Sequence, residues 1–139
     1  MKIIIINGPN LNLLGTREPE IYGNQKFEDY FKGLESNYST VDLTYFQSNH
    51  EGALIDKLQE VGFSYDGIIV NLAGFTHTSV ALADTIAAIK SAVVEVHISN
   101  IHAREAFRTH TYTGAKAKGI ISGLGLKGYD LAIEYFIAQ

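Results

Sequence analysis

The chain has 139 residues, the length of about one domain, and its 46% apolar and 19% charged residues exclude an intrinsically disordered protein. Its formal net charge of -4 at pH 7 argues against nucleic-acid binding, since neutralising phosphates needs a basic face. It has no cysteine, which excludes disulfides, thiolate nucleophiles and Cys-based zinc sites. No apolar run approaches the ~20 residues of a membrane span. We therefore expect a cytoplasmic protein.

Five short apolar runs predict β-strands, at residues 2–6, 41–46, 67–71, 92–97 and 119–122. The first is apolar throughout, which is typical of a strand buried on both faces of a sheet. The second alternates apolar and polar residues, which suits a strand at the edge of a sheet.

Between these runs, apolar residues recur at helical spacing and predict four amphipathic helices. The helix faces are Phe27, Tyr30, Phe31, Leu34 and Tyr38; Leu54, Leu58 and Val61, ending at Gly62; Leu82, Ile86 and Ile89; and Tyr129, Ala132, Ile133 and Phe136. Alternating strands and helices predict a parallel sheet with helices on both faces. We expect a single α/β domain over residues 1–139, with a flavodoxin-like three-layer sandwich and strand order 2-1-3-4-5.

In such a sheet, ligands bind beyond the carboxyl ends of the strands, here in the loops that begin at Asn7, Asn71 and His97. The first loop, residues 7–23, is long for a strand-to-helix connection and is typical of a binding loop. It carries Arg17 and Tyr22, and a guanidinium beside a phenol would favour the phenolate needed for a general base. The alternative is that Arg17 is a surface charge and Tyr22 a loop anchor.

The loop after the third strand offers Thr76, Thr78 or Ser79 as a helix cap. His77 would lie near that helix N-terminus, whose dipole disfavours imidazolium, so a neutral ring could bind a ligand hydroxyl. The alternative is a satisfied surface histidine. Asp84 lies about 200° around the helix from the core stripe, and is either solvated or able to reach a neighbouring subunit.

The fourth strand places Glu95 and His97 on one face, because side chains two apart in a strand point the same way. A carboxylate beside an imidazole fixes the tautomer and suits a proton donor. Ser99 and the backbone N–H groups beyond the strand could hold an anion, and Arg108 adds a cation.

Two other functions start from features of the same sequence. A non-catalytic flavodoxin-like module would bind a flavin or a small anion at the strand ends. A metal hydrolase would use three histidines and a carboxylate, namely His77, His97, His102 and Asp84. Residues 123–128 match G-x-G-x-x-G, but no later strand or acidic residue completes a dinucleotide site, so we interpret them as a tight turn with close packing.

Five segments together resemble type II 3-dehydroquinate dehydratase: residues 7–23, 46–56, 76–82, 95–112 and 119–128. They span nearly the whole chain in order. The resemblance implies an anti elimination of water from 3-dehydroquinate through an enolate, giving 3-dehydroshikimate in the shikimate pathway. It implies no cofactor and no metal, and no nucleic-acid or membrane partner.

The resemblance also implies a role for each residue that would carry the chemistry. Tyr22 would be the base that takes the proton beside the ketone, and Arg17 would activate it and stabilise the enolate. His97 would protonate the departing hydroxyl, with Glu95 orienting it. Asn12 would hold the water that relays charge at the enolate.

The remaining family residues would bind the substrate. Asn71, His77 and Arg108 would bind ring hydroxyls, while Ile98 and Ser99 would grip the carboxylate through backbone N–H groups. Asp84 would reach in from an adjacent subunit, because the family usually assembles as a dodecamer of four trimers.

The chain departs from the family after the third strand. The family usually reads Asn-Pro-Gly-Ala-Tyr, whereas residues 71–75 read Asn-Leu-Ala-Gly-Phe, so a glycine has moved by one place and Phe75 lacks a hydroxyl. Ala83 stands where an arginine is common, which would remove an ion pair between subunits.

Overall fold

The computed structural model describes residues 1–16, 20 and 24–139. Within them, five parallel strands form one sheet in the order β2-β1-β3-β4-β5, which confirms the predicted topology. The strands are β1 (Lys2–Asn7), β2 (Asp42–Gln47), β3 (Gly67–Asn71), β4 (Val93–His97) and β5 (Gly119–Ser122). The predicted boundaries agree to within one residue, and β2 lies at an edge as its alternating pattern indicated.

Four helices have described bounds: α1 (Phe27–Asn37), α2 (Glu51–Val61), α3 (Val80–Ala88) and α4 (Lys127–Ile137). Side chains of α1 and α4 share one core cluster, and those of α2 and α3 share a second, so helices cover both faces of the sheet. The three-layer arrangement is therefore confirmed. None of the helices in the described ranges is both long and apolar enough to cross a membrane.

Strand β1 shows why a continuous apolar run forms a central strand. Ile3 and Ile5 pack into the cluster with α1 and α4, while Ile4 and Ile6 pack into the cluster with α2 and α3. All four are at most 3% exposed, and burying each contributes about 1.5–3 kcal/mol.

The register of the sheet brings the polar strand ends to one edge. Asn7 of β1 pairs with Asn71 of β3, and His97 of β4 pairs with Ser122 of β5. Because all strands are parallel, the loops that follow them lie side by side at this edge.

Short 3-10 helices and tight turns make up the chain on either side of β5. The stretch between β4 and β5 holds three of them, Ile101–Ala103, Ala106–Thr109 and Gly114–Lys116. After β5, Gly123 and Gly125 have φ of +89° and +64°, a conformation that only glycine adopts at little cost. A Cβ at Gly128 would lie 3.0 Å from Val96 Cγ1, so the glycine-rich segment is the predicted tight turn with close strand–helix packing.

Candidate active site

The end of β4 holds a carboxylate–imidazole pair. His97 Nε2 donates to Glu95 Oε2 at 2.9 Å. His97 is 5% exposed and Glu95 is 0% exposed. Thr111 Oγ1 donates to the same carboxylate oxygen at 2.9 Å, and Thr113 Oγ1 donates to the other oxygen. The predicted pairing of Glu95 and His97 on one strand face is therefore present, with Nε2 committed to the carboxylate.

These donors keep Glu95 ionised although it is buried. Burial alone would raise the pKa of Glu95, but the hydrogen bond and charge of His97 and the hydroxyls of Thr113 and Thr111 lower it below its usual value. The hydrogen bond from Nε2 to this buried anion fixes the orientation of the His97 ring.

The end of β3 holds a neutral amide in a buried hydrogen-bond chain. Asn71 Nδ2 donates to the Tyr129 hydroxyl at 3.0 Å, and that hydroxyl donates to Asn7 Oδ1 at 2.9 Å. Asn71 Oδ1 accepts from the backbone N–H of Ala73 at 3.2 Å, the local turn that asparagine favours. The Asn71 side chain is thus held from two sides at the strand end.

His77 lies across the site from His97, with ring centroids 6.1 Å apart. Its Nδ1 is 2.7 Å from the His110 carbonyl oxygen, which can only accept, so Nδ1 carries the proton. Burial and the nearby charges of His97 and Arg108 lower the pKa of His77, although the His110 carbonyl and Glu95 oppose this. The ring is therefore neutral near pH 7, and Nε2 carries no proton and can accept a hydrogen bond.

Two arginines lie on the side of the site beyond β4. Arg108 Nε is 3.1 Å from Glu105 Oε2, and Arg104 Nη1 donates to Ser99 Oγ at 3.4 Å. Arg108 was predicted from the sequence, whereas Arg104 was not assigned a role. Their guanidinium groups make this corner of the site suited to an anionic ligand.

The loop after β3 holds a left-handed residue that is not a glycine. Ala73 has φ of +53°, a conformation that non-glycine residues rarely adopt, whereas the neighbouring Gly74 has no positive φ. Of the three capping candidates that follow, Ser79 is the one used, accepting from the Leu82 N–H at 2.9 Å.

The strand ends enclose a cavity of about 710 Å3, counted out to its open mouth. Six of the predicted site residues are among the described residues that line it: Asn71, His77, His97, Ile98, Ser99 and Arg108. Their neighbours in the lining are Pro9, Asn10, Leu11, Leu14, Ala73, Gly74, Ile101 and Arg104. The predicted location of the site, at the ends of β1, β3 and β4, is where the cavity lies.

The other predicted residues are placed differently. Glu95 supports His97 from beneath rather than lining the cavity. Asn12 is exposed in the 3-10 helix Leu11–Leu13, and Asp84 is exposed on α3, as its helical angle indicated; neither is among the lining residues. Arg17 and Tyr22 lie outside the described residues.

Sequence reasoning missed the residues that support the site from behind. Thr111 and Thr113 come from an irregular segment, and Tyr129 reads as an ordinary core position of an amphipathic helix. Arg104 had a usable signal, since it lies four residues before Arg108 in the same loop. The interpretation of the site as a metal centre is not supported, because His102 and Asp84 lie outside the lining of the cavity that holds His77 and His97.

Comparison with known proteins gives one consistent result. Residues 1–137 match the family model described as dehydroquinase class II. The chain is 52% identical over 136 residues to a 3-dehydroquinate dehydratase of Helicobacter hepaticus, covering 96% of this chain and 86% of that one. It is 50% identical over 135 residues to a catabolic 3-dehydroquinase of Aspergillus clavatus, covering 96% and 90%.

A solved structure of a type II dehydroquinase from Butyrivibrio crossotus is similar over the same length. It superposes with a TM-score of 0.95 at 45% identity, covering 99% of this chain and 97% of the other. The family model matches nearly every residue, and the relatives are similar in both sequence and structure. This chain therefore belongs to the class II dehydroquinase family.

Proposed function

We propose that this chain is a 3-dehydroquinate dehydratase, a hydro-lyase that converts 3-dehydroquinate to 3-dehydroshikimate by anti elimination of water through an enolate. The observation that carries the proposal is the buried Glu95–His97 pair, 2.9 Å apart, at a cavity lined on its other side by Asn71 and His77. A carboxylate-supported imidazole supplies the proton that a hydroxide leaving group needs. The family to which the chain belongs supplies the substrate.

The elimination begins with loss of a proton from the carbon beside the ketone. Tyr22 is the base in this proposal, and Arg17 holds it as phenolate and stabilises the enolate oxygen; both roles rest on the family resemblance. Asn12 holds the water that relays charge to the enolate. All three residues belong to the long segment that follows β1 in the sequence.

The second step expels the hydroxyl group. The enolate electrons form the new carbon–carbon double bond, the carbon–oxygen bond breaks, and His97 donates the proton that turns the leaving group into water. Glu95 remains ionised throughout, because its three donors stabilise the carboxylate. Its part is to orient the ring and to stabilise the imidazolium.

The remaining polar groups bind the substrate. His77 accepts a hydrogen bond from a ring hydroxyl through Nε2, since Nδ1 is committed to the His110 carbonyl. Asn71 and Arg108 contact the other hydroxyls. Ile98 and Ser99 hold the substrate carboxylate with backbone N–H groups, in the corner that Arg104 makes positive.

The proposal extends to the assembly and the place of action. Residues 1–139 act as one catalytic domain in the cytoplasm, as part of aromatic amino acid biosynthesis by the shikimate pathway. Copies assemble as a homododecamer of four trimers, in which Asp84 reaches a neighbouring cavity. The exposure of Asp84 on α3 supports this, and Asp84→Ala would lower activity in the assembled enzyme without altering the cavity of its own subunit.

The direct test is incubation with 3-dehydroquinate while recording the near-ultraviolet absorbance of the conjugated enone product. We expect turnover by the assembled protein, and we expect Tyr22→Phe to abolish nearly all of it while the thermal unfolding curve stays unchanged. Absence of product from pure, assembled wild-type protein would contradict the proposed function. Full activity in Tyr22→Phe would reject only the base assignment.

Isotopic labelling tests the stereochemistry separately. Substrate carrying deuterium at one of the two positions beside the ketone loses the label only if that position lies on the face opposite the departing hydroxyl. An anti elimination therefore retains deuterium from one labelled isomer and loses it from the other. The reverse distribution would indicate a syn pathway.

A further inference from the structure

The Tyr129 hydroxyl lies at the centre of a buried hydrogen-bond chain that ends in the cavity. Tyr129 is 0% exposed near the start of α4, and its ring packs edge-on against Phe27 at 4.9 Å. Its oxygen accepts from Asn71 Nδ2 and donates to Asn7 Oδ1, at 3.0 and 2.9 Å. Packing of the ring fixes where this hydroxyl is, and Asn7 fixes which way its proton points.

The direction of the chain determines how the Asn71 amide faces. The Ala73 backbone N–H can only donate, so the atom of Asn71 beside it must be Oδ1. With Oδ1 facing Ala73, Nδ2 faces Tyr129, whose hydroxyl accepts from it and donates its own proton to Asn7 Oδ1. Ala73 and Tyr129 thus hold opposite ends of the same amide.

The amide then has limited capacity left for a ligand. A primary amide carries two N–H donors and two acceptor lone pairs, and one of each is used by Tyr129 and Ala73. Asn71 lines the cavity while only 4% exposed, so its remaining donor and lone pair are what it offers there.

We infer that Tyr129 is a positioning residue for the dehydration: by holding Asn71 Nδ2 from within the core, it fixes the amide that faces the substrate. The inference rests on the proposed function in so far as Asn71 binds the substrate hydroxyl. Rotation of an asparagine amide is otherwise soft, because its terminal torsion has broad minima. Loss of the Tyr129 hydroxyl leaves only the Ala73 contact to hold it.

The first test needs no substrate. In protein labelled with 15N, the side-chain amide resonances of Asn71 are those absent from Asn71→Ala. In the wild type, one of the two Asn71 Nδ2 protons is buried and hydrogen-bonded to the Tyr129 oxygen. We expect it to exchange with solvent at least about tenfold more slowly than the other Nδ2 proton. Equal, fast exchange of both protons would overturn the inference, and this measurement does not depend on any variant of Tyr129 folding.

The second test is a double-mutant cycle in kcat/KM with 3-dehydroquinate, using Tyr129→Phe and Asn71→Ala. We expect Tyr129→Phe to lower kcat/KM about tenfold in the wild type, the equivalent of one lost hydrogen bond, and by less than about twofold when residue 71 is alanine. The same loss in both backgrounds would show that the hydroxyl acts on general stability and would overturn the inference.

Tyr30→Phe is the matched control. Its ring packs against the same core cluster, and its hydroxyl bonds to Asp130 rather than to Asn71. It should lower stability yet leave the Asn71 exchange rates unchanged and show additive effects with Asn71→Ala. A wild type that does not dehydrate 3-dehydroquinate would contradict the proposed function alone, since the exchange measurement still decides whether Tyr129 holds the amide.

Discussion

The cavity has a charged wall and a neutral wall. The β4 wall holds the ionised carboxylate of Glu95 hydrogen-bonded to His97, and the β3 wall, Asn71 with His77 and Tyr129, is kept neutral. In each wall, side chains outside the cavity lining support a residue that lines it. Thr111 and Thr113 bind the carboxylate that holds His97, and Tyr129 holds the amide of Asn71. In the proposed function, this difference assigns proton transfer to the β4 wall and binding of the substrate hydroxyl groups to the β3 wall.

The largest expected difference between the walls is in turnover. His97→Gln removes the proton donor, and we expect kcat to fall by about 10²–10⁴, the usual contribution of general acid catalysis. His77→Gln removes an acceptor of a hydrogen bond to the substrate, and we expect about a tenfold loss in kcat/KM, mostly through KM. Steady-state kinetics on both variants, with unfolding curves as a check on folding, measures this. Equal losses of kcat would show that the two walls do not divide the work.

The charged wall should be sensitive to acid through the hydroxyl of Thr113. That side chain is fully buried and donates to Glu95, which helps to lower the pKa of the carboxyl group. Thr113→Val keeps the shape and removes the donor, so the pKa of Glu95 rises and the carboxylate is protonated at higher pH. We expect the acid limb of the kcat profile to move to higher pH, with about 1–3 kcal/mol lost from the free energy of unfolding at neutral pH.

The direction of this pH dependence follows from the coupling between protonation of Glu95 and folding. A carboxyl group whose pKa is lowered by folding stabilises the protein above its unfolded pKa, and that contribution is lost as the pH falls through the folded value. Thr113→Ser keeps the hydroxyl and should retain the wild-type acid limb. An acid limb that moves equally in the Ser and Val variants would show that the methyl group, rather than the hydrogen bond, matters.

The neutral wall should be sensitive to alkali instead. Burial raises the pKa of Tyr129 well above the usual value of a tyrosine, although the amides of Asn71 and Asn7 oppose this, and burial raises the pKa of Tyr45 to about 12. Their stabilising effect is complete below pH 10 and is lost as the pH rises towards the folded values, because the unfolded phenols ionise first.

Urea unfolding between pH 9 and 11.5 measures this dependence. The free energy of unfolding should decline by about 1.4 kcal/mol per pH unit for each phenol that the fold keeps protonated. Tyr129→Phe should make the slope shallower by one such phenol. An unchanged slope would mean that the phenol of Tyr129 ionises in the folded protein.

The features of the two walls that depend on strand periodicity could be predicted from the sequence. The buried runs predicted the strands and their order, and the two-residue spacing placed Glu95 and His97 on one face. Thr113 could not be found this way, because it lies in a turn of the segment between β4 and β5, which has no repeating apolar pattern. Helical spacing identified Tyr129 as a core residue, but the direction of its hydroxyl depends on where α4 packs against β1 and β3. The left-handed backbone at Ala73 is also a tertiary property, since nothing local favours it for alanine.

The smallest expected effect concerns the turn that shapes the neutral wall. Ala73 is strained in its left-handed conformation, whereas a Cβ at Gly74 would meet nothing within 4 Å and its φ is not positive. Ala73→Gly relieves strain but adds freedom to the unfolded chain, so we expect a gain of no more than about 1 kcal/mol. Gly74→Ala should add about 0.4–1 kcal/mol, because alanine fits there without strain and restricts the unfolded state.

Thermal or urea unfolding of the two variants and their combination gives the stabilities, and KM gives the effect on the cavity. Residues 73 and 74 are adjacent, so their effects are expected to couple, and the double variant measures by how much. If Ala73→Gly destabilised the protein, the left-handed turn would be held by its surroundings at no cost to alanine. The placement of glycine at 74 rather than 73 would then be a neutral rearrangement of the loop, with the Ala73 N–H still holding Asn71 Oδ1 while the Tyr129 hydroxyl holds Nδ2.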